Sequence, residues 1–299
     1  MVPTSTPQTP FGRVITAMVT PFAADGSLDL DGAQRLAAHL VDAGNDGLVI
    51  NGTTGESPTT SNDEKSALLR AVVEAVGDRA FVIAGVGTND TPHSIELARR
   101  AEQAGVHGLL AVTPYYNRPP QEGLYRNFTA IADSTGLPVM LYDIPARTGS
   151  AIATETFLRL AEHPRIVANK DAKADLGAAA QVIRDTDLAW YSGDDILLLP
   201  LLSIGAVGVV STVGHVVTPE LRAMIEAFTS GDTAKATEIH HRLLPVFVGI
   251  FRTQGVITVK AAMRMLGLPA GPVRLPLVDA TEAEIDQLRK DLLAGGVHL

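Results

Sequence analysis

"RIVANKDAKADL", residues Arg165–Leu176, is the stretch on which the reading of the fold turns. Ile166, Val167 and Ala168 are apolar, two of them β-branched, as in a strand buried on both faces. That strand runs straight into Lys170, with Asp171 and Asp175 close behind. Side chains alternate along a strand, so Lys170, Ala168 and Ile166 are expected on one face and Asn169 and Val167 on the other. A cation at the end of a buried strand calls for an explanation.

Working outward, the same pattern recurs. Strands are expected in "VITAMVTPF" from Val14, "GLVINGTTG" from Gly47, "FVIAGVGT" from Phe81 and "GLLAVTPYY" from Gly108. Others are expected in "PVMLYDIP" from Pro138, "RIVANK" from Arg165, "LAWYSGDD" from Leu188 and "GAVGVVSTVG" from Gly205. Amphipathic stretches such as "SNDEKSALLRAVVEAVGD" lie between them. Apolar strands separated by helices mean a parallel sheet covered on both faces. Eight such units predict a closed (β/α)₈ TIM barrel of the α/β class rather than an open doubly wound sheet. The dinucleotide fingerprint is missing, since "GVGTND" (Gly85–Asp90) supplies only two glycines. Past residue 232 the pattern is helical only. The expected organisation is a disordered tail over 1–10, the barrel over 11–232 and a C-terminal helical domain over 233–299.

Composition narrows the function. A net charge of -9 argues against nucleic acid as a partner, because phosphate neutralisation needs a basic surface. The chain has no cysteine, which removes thiol chemistry and disulfides and permits a reducing, cytoplasmic setting. Ile196–Val217 carries no formal charge and is long enough for a membrane span. Pro200, Gly205, Gly208 and Gly214 break it up, so a buried helix, a turn and a strand are expected there and no membrane partner.

In a (β/α)₈ barrel the chemistry belongs at the C-terminal ends of the strands. The chemically informative residues fall there: "GTTGES", "TPYYNRPP", "LYDIPARTG", "NKDAK" and "YSGDD". If Lys170 points into the barrel mouth, desolvation favours its free amine, which attacks a carbonyl to give a Schiff base. Pairing with Asp171 or Asp175 is the alternative, and Lys173 and Lys260 are competing amines. Thr53 and Thr54 sit between two glycines, either as a turn whose backbone N–H groups and following helix N-terminus cradle a carboxylate or as an ordinary turn with an N-cap. Tyr142 is placed to move protons beside the amine, or else is a core aromatic. Arg147 offers a bidentate grip on a second carboxylate. Tyr115 and Tyr116, adjacent in a Pro-rich loop, suggest a subunit contact. No metal site is expected: His240 and His241 diverge on a helix, and Asp194 and Asp195 lack a third ligand.

Together, "TAMVTPF", "GTTGES", "VTPYYNRPPQEG", "LYDIPARTG", "KDAKADL" and "YSGDD" resemble the pyruvate-dependent class I aldolases, the family of dihydrodipicolinate synthase and N-acetylneuraminate lyase. "GTTGE" and "PARTG" are similar to the synthase branch. The resemblance implies Lys170 as the imine-forming lysine, Tyr142 as the general acid/base and Thr54 as its relay partner. It implies that Tyr116 completes the relay across a subunit interface, in a homotetramer or homodimer. Thr53 and Thr54 would take the carboxylate of pyruvate, Arg147 that of L-aspartate 4-semialdehyde, and Gly193 and Val210 would line the pocket. The implied reaction yields 4-hydroxy-tetrahydrodipicolinate without metal or organic cofactor. Cleavage of a keto-deoxy sugar acid or N-acetylneuraminate is one alternative, and a catalytically silent barrel is another.

Two departures from the family pattern stand out. Asn169 occupies a position usually apolar, so it must find a partner or alter the local register. Lysine-inhibited members typically carry two His and a Glu where this chain has Asn62, Lys65 and His93. Weak or absent feedback by lysine is therefore expected.

Overall fold

The computed structural model describes residues 9–299, so most of the tail expected over 1–10 lies outside the described residues. The first half alternates β1 (Val14–Ala17), α1 (Leu30–Asp42), β2 (Gly47–Ile50), α2 (Asn62–Val76), β3 (Phe81–Gly85), α3 (Thr91–Gln103), β4 (Gly108–Val112) and α4 (Gln121–Asp133). The second half runs β5 (Val139–Asp143), α5 (Pro145–Thr148), α6 (Thr154–Ala161), β6 (Ile166–Asp171), α7 (Leu176–Asp185), β7 (Ala189–Ser192), α8 (Leu198–Leu202), β8 (Gly208–Ser211) and α9 (Gly214–Thr229). Three helices follow: α10 (Thr233–Ile250), α11 (Gly255–Met265) and α12 (Glu282–Ala294). All neighbouring strands are parallel, and β1 pairs with both β2 and β8, which closes the barrel. Each strand begins within three residues of its expected start.

Strand alternation sorts the apolar residues into two cores. Ile15, Val49, Ile83, Leu110, Met140 and Ala168 fill the barrel interior. Their neighbours Val14, Leu48, Val82, Leu109, Val139 and Leu141 pack outward against the helices. Both faces are dry, which is why the strands read as continuous apolar runs. Each buried Leu, Ile or Val contributes about 1.5–3 kcal/mol from area removed from water. At the N-terminal end of the barrel Phe11 is buried with the interior group, and the Tyr191 hydroxyl donates to the Gly12 carbonyl at 2.9 Å. A side chain at Gly108 would meet the Phe11 ring at 2.5 Å, so any larger residue there would have to displace that buried ring.

Local signals start the helices where the loops need to end. Ser61 and Glu64 form a reciprocal capping box on α2, and Asp90, Asp175 and Asp232 cap α3, α7 and α10. The uncharged stretch Ile196–Val217 folds as the short α8, a turn, β8 and the start of α9. Among the described residues no single helix is long and apolar enough to cross a membrane. From Thr233 onward the chain is a C-terminal helical domain laid against the barrel. Its Leu243, Val246, Ile250 and Leu288 join the same outer core as the barrel helices.

One expectation about β6 fails. Between β5 and β6 the register slips: Val139 pairs with Ile166, but Met140 pairs with Ala168. The irregularity turns Ile166 outward into the helix-facing core, while Ala168 and Lys170 stay on the inner side. Asn169 faces outward between Leu141 and Trp190, its register partners, and is fully buried. Neither its amide oxygen nor its amide nitrogen has a hydrogen-bond partner among the described residues. The expected partner is thus not there, and the slipped register lies just upstream.

An unpaired buried amide costs about 1–3 kcal/mol. Asn169→Val, a β-former of smaller polarity, is therefore expected to raise stability by about that amount in denaturant unfolding. A drop in the unfolding midpoint would show that the amide is satisfied after all.

Candidate active site

Loops at the C-terminal ends of the strands enclose a cavity of about 430 Å³. Its floor and walls include Thr53 and Thr54 after β2, Tyr142 on β5, Lys170 on β6 and Gly193 after β7. Arg147, on the short α5, lies at its rim. The roof comes from the C-terminal helices: Phe247, Phe251 and Gln254. Six of the eight residues singled out in the sequence are thus brought to one cavity.

Of the three competing lysines only Lys170 faces this cavity. Lys173 turns behind the barrel, where its Nζ lies 3.4 Å from the Ile152 carbonyl oxygen, and Lys260 is buried against Glu56. Lys170 is 5% exposed, and among the described residues its Nζ makes no salt bridge. Neither Asp171 nor Asp175 pairs with it: Asp171 accepts the Trp190 indole N–H at 3.0 Å, and Asp175 caps α7. Burial pushes the Lys170 amine from 10.5 down to about 8, opposed by the charge of Asp195 and helped by that of Arg147. At pH near 7.5 roughly a quarter of such an amine is uncharged, against about one in a thousand for an ordinary lysine. A side chain at Gly193 would meet Lys170 Cγ at 2.9 Å, so glycine there leaves the lysine its rotamer.

Lys170 Nζ sits 4.3 Å from the centre of the Tyr142 ring. The two residues are register partners on adjacent strands, which fixes their distance through the backbone. Burial raises the Tyr142 phenol to about 12, with Arg147 pulling the other way and Asp194 adding to the rise. Near neutral pH the phenol therefore holds its proton and is an acid beside a partly free amine. Thr54 does not hydrogen-bond to Tyr142. Its Oγ1 lies 3.4 Å from Thr212 Oγ1, on the loop after β8.

Thr212 is itself held firmly. Its N–H donates to Asp195 at 3.1 Å, and its carbonyl lies 2.8 Å from Nδ1 of the buried His215. Asp195 also accepts from the Ser211 hydroxyl and from the Val213 N–H at 3.2 Å. Burial raises its carboxyl to about 6. Among the described residues, neither the Thr53 nor the Thr54 N–H has a protein acceptor, and both residues line the cavity. Those donors suit a carboxylate.

Arg147 is exposed and donates to the Gln254 side chain at 2.9 Å, which ties the rim to the C-terminal helices. Val210 is not part of the cavity wall. It is buried one layer down, in the barrel interior with Tyr142 and Ala168. Tyr116 also stays outside the cavity: it is 89% exposed, with a left-handed backbone at φ 74°. Gln254, Thr212, Asp194 and Phe247 also line the cavity but were not read from the sequence as pocket residues. Asp194 in "SGDD" was visible in the strand-end pattern; the other three lie far along the chain in helical or apolar windows without a chemical signal.

A second hollow, of about 360 Å³, adjoins the first and shares Thr53, Tyr142 and Arg147 with it. Asn62, Lys65 and His93 meet there, with His93 Nε2 3.1 Å from Asn62 Oδ1. Lys65 Nζ donates to the Ser57 and Thr60 carbonyls, and burial lowers it to about 8.

Comparison with known proteins gives one consistent result. A profile of the dihydrodipicolinate synthetase family matches residues 10–294. The chain is 74% identical to 4-hydroxy-tetrahydrodipicolinate synthase 2 of Streptomyces coelicolor over 299 residues, covering all of both chains. It is 66% identical to the 4-hydroxy-tetrahydrodipicolinate synthase of Acidothermus cellulolyticus, covering 98% of this chain and 95% of that one. A solved structure of the enzyme from Cyanidioschyzon merolae with lysine bound superposes with a TM-score of 0.95 at 46% identity, covering 97% of this chain and 100% of that one.

Proposed function

We propose, for a chain that belongs to the dihydrodipicolinate synthetase family, that the cavity at Lys170 carries out the family's reaction by imine catalysis. The reaction condenses pyruvate with L-aspartate 4-semialdehyde to 4-hydroxy-tetrahydrodipicolinate, an aldolase-type step of lysine and diaminopimelate biosynthesis. Sugar-acid cleavage and a silent barrel give way to this reading. What carries it is the desolvated Lys170 amine beside the Tyr142 phenol, between carboxylate donors at Thr53–Thr54 and the Arg147 guanidinium.

In the proposed sequence the Thr53–Thr54 turn holds the pyruvate carboxylate, and Lys170 Nζ adds to C2. Tyr142 protonates the departing oxygen, water leaves, and the imine forms. Loss of a C3 proton gives the enamine, whose C3 attacks the aldehyde carbon while Arg147 grips the semialdehyde carboxylate. The α-amino group that the semialdehyde brought with it then attacks the imine carbon and passes a proton to Nζ, so that the ring closes and Lys170 leaves as the free amine. The protonated imine serves as the electron sink, so no cofactor enters the scheme. Thr54 and Tyr116 complete the proton path, Tyr116 from a neighbouring copy; its exposure and left-handed backbone support that role. The proposed assembly is accordingly a homodimer or a homotetramer, and the proposed location is the cytoplasm. Residues 11–232 supply the catalytic groups and 233–299 the roof. Gly193 acts by leaving Lys170 room, and Val210 by supporting the pocket floor.

Borohydride added with pyruvate should leave a reduced adduct on the peptide carrying Lys170, and Lys170→Ala should abolish both adduct and turnover. An adduct on Lys173 instead would refute the assignment. The second hollow yields a separate expectation. Its lining includes the Lys65 amine and no Asp or Glu, so an effector's ammonium finds a cation there and no carboxylate to pair with. L-Lysine at millimolar concentration should leave the rate unchanged, and a micromolar inhibition curve would contradict that.

A further inference from the structure

Glu56 and Lys260 belong to no step of this chemistry, yet both are buried. Glu56 follows the two threonines of the carboxylate-binding turn and closes it, its N–H donating to the Thr53 carbonyl at 3.1 Å. Its backbone lies in the left-handed region at φ 55°, a conformation that needs outside support in a non-glycine residue. That support comes from the far end of the chain. Lys260 Nζ on α11 donates to Glu56 Oε1 at 2.6 Å, with side chains 0% and 1% exposed. The other oxygen, Oε2, accepts the Arg274 N–H at 2.8 Å. Lys260 is fixed in turn by the Pro272 carbonyl at 2.8 Å and by the Phe22 ring, 4.4 Å away.

The same helix α11 begins at Gly255, in the roof of the cavity, directly after Gln254, which holds Arg147. One buried ion pair thus joins the turn at the cavity floor to the helix at its roof. Buried pairs add little net stability over apolar replacements, so stability alone does not account for a charge pair at this spot. We propose that Glu56 and Lys260 are positioning residues, a strut by which the C-terminal helical domain sets the Thr53–Thr54 turn for pyruvate. This inference rests on the carboxylate role given to that turn above.

The test compares the parent enzyme with the double variant Glu56→Gln/Lys260→Met, which keeps the shapes and removes both charges. Circular dichroism and thermal melting establish that the variant is folded. The pyruvate KM is expected to rise about tenfold while kcat falls less than about threefold, a split that lost stability alone does not produce. Borohydride trapping at saturating pyruvate should still label Lys170. A folded double variant with a pyruvate KM within about twofold of the parent would overturn the proposal. Should the double variant not fold, Glu56→Asp decides, because it keeps the charge and shortens the strut by one methylene. A rise of about threefold or more in pyruvate KM supports the strut, and an unchanged KM rejects it. If the parent itself gives no adduct with pyruvate, it is the reading of the cavity that fails, and not the strut alone.

Discussion

The site depends on one constraint: an ammonium placed where water does not reach it well. The barrel closes around Lys170, its register partners on the adjacent strands are Tyr142 and Tyr191, and burial outweighs the attraction of Asp195. The result is an amine whose pKa is brought from 10.5 down to about 8. The same dry setting acts on Tyr142 in the opposite sense, keeping the phenol protonated. A single physical cause therefore sets a partly free amine beside a protonated phenol, the pair that the proposed reaction uses as nucleophile and acid.

Around that pair the chain arranges groups that do not react but fix geometry. Asp195 gathers Ser211, Thr212 and Val213, so the loop after β8 cannot drift from Thr54. Gly193 leaves room for the lysine stem. Gln254 and Lys260 bring the C-terminal helices into contact with Arg147 and Glu56. The barrel alone would leave the cavity open above. The helices after Thr233 roof a strand-end cleft that has Thr53 and Thr54 on one side and Arg147 at its rim.

Much of this was legible in the sequence because it rests on local patterns. Eight apolar runs separated by amphipathic segments imply a closed parallel barrel, and polar clusters at strand ends mark the catalytic face. What escaped reading has a common physical origin in long-range pairing. The slip between Met140 and Ala168 is decided by how two strands dock, and so Ile166 turns outward with no local sign. Lys260 sits in an ordinary helical window, and only a carboxylate 204 residues away makes it a buried charge. Thr212 looks like a strand-end hydroxyl until it is found beside Thr54. Val210 reads as a pocket residue by its place in the motif, but its side chain points into the barrel core.

Titration of the Lys170 amine bears most directly on the mechanism. The rate of its reductive methylation, followed by peptide mass mapping across a pH series without substrate, reports the free-amine fraction at that residue. Burial at the barrel mouth predicts a midpoint at about 8. A midpoint at the ordinary 10.5 would mean that the amino group is solvated, and imine chemistry at this site would lose its physical basis.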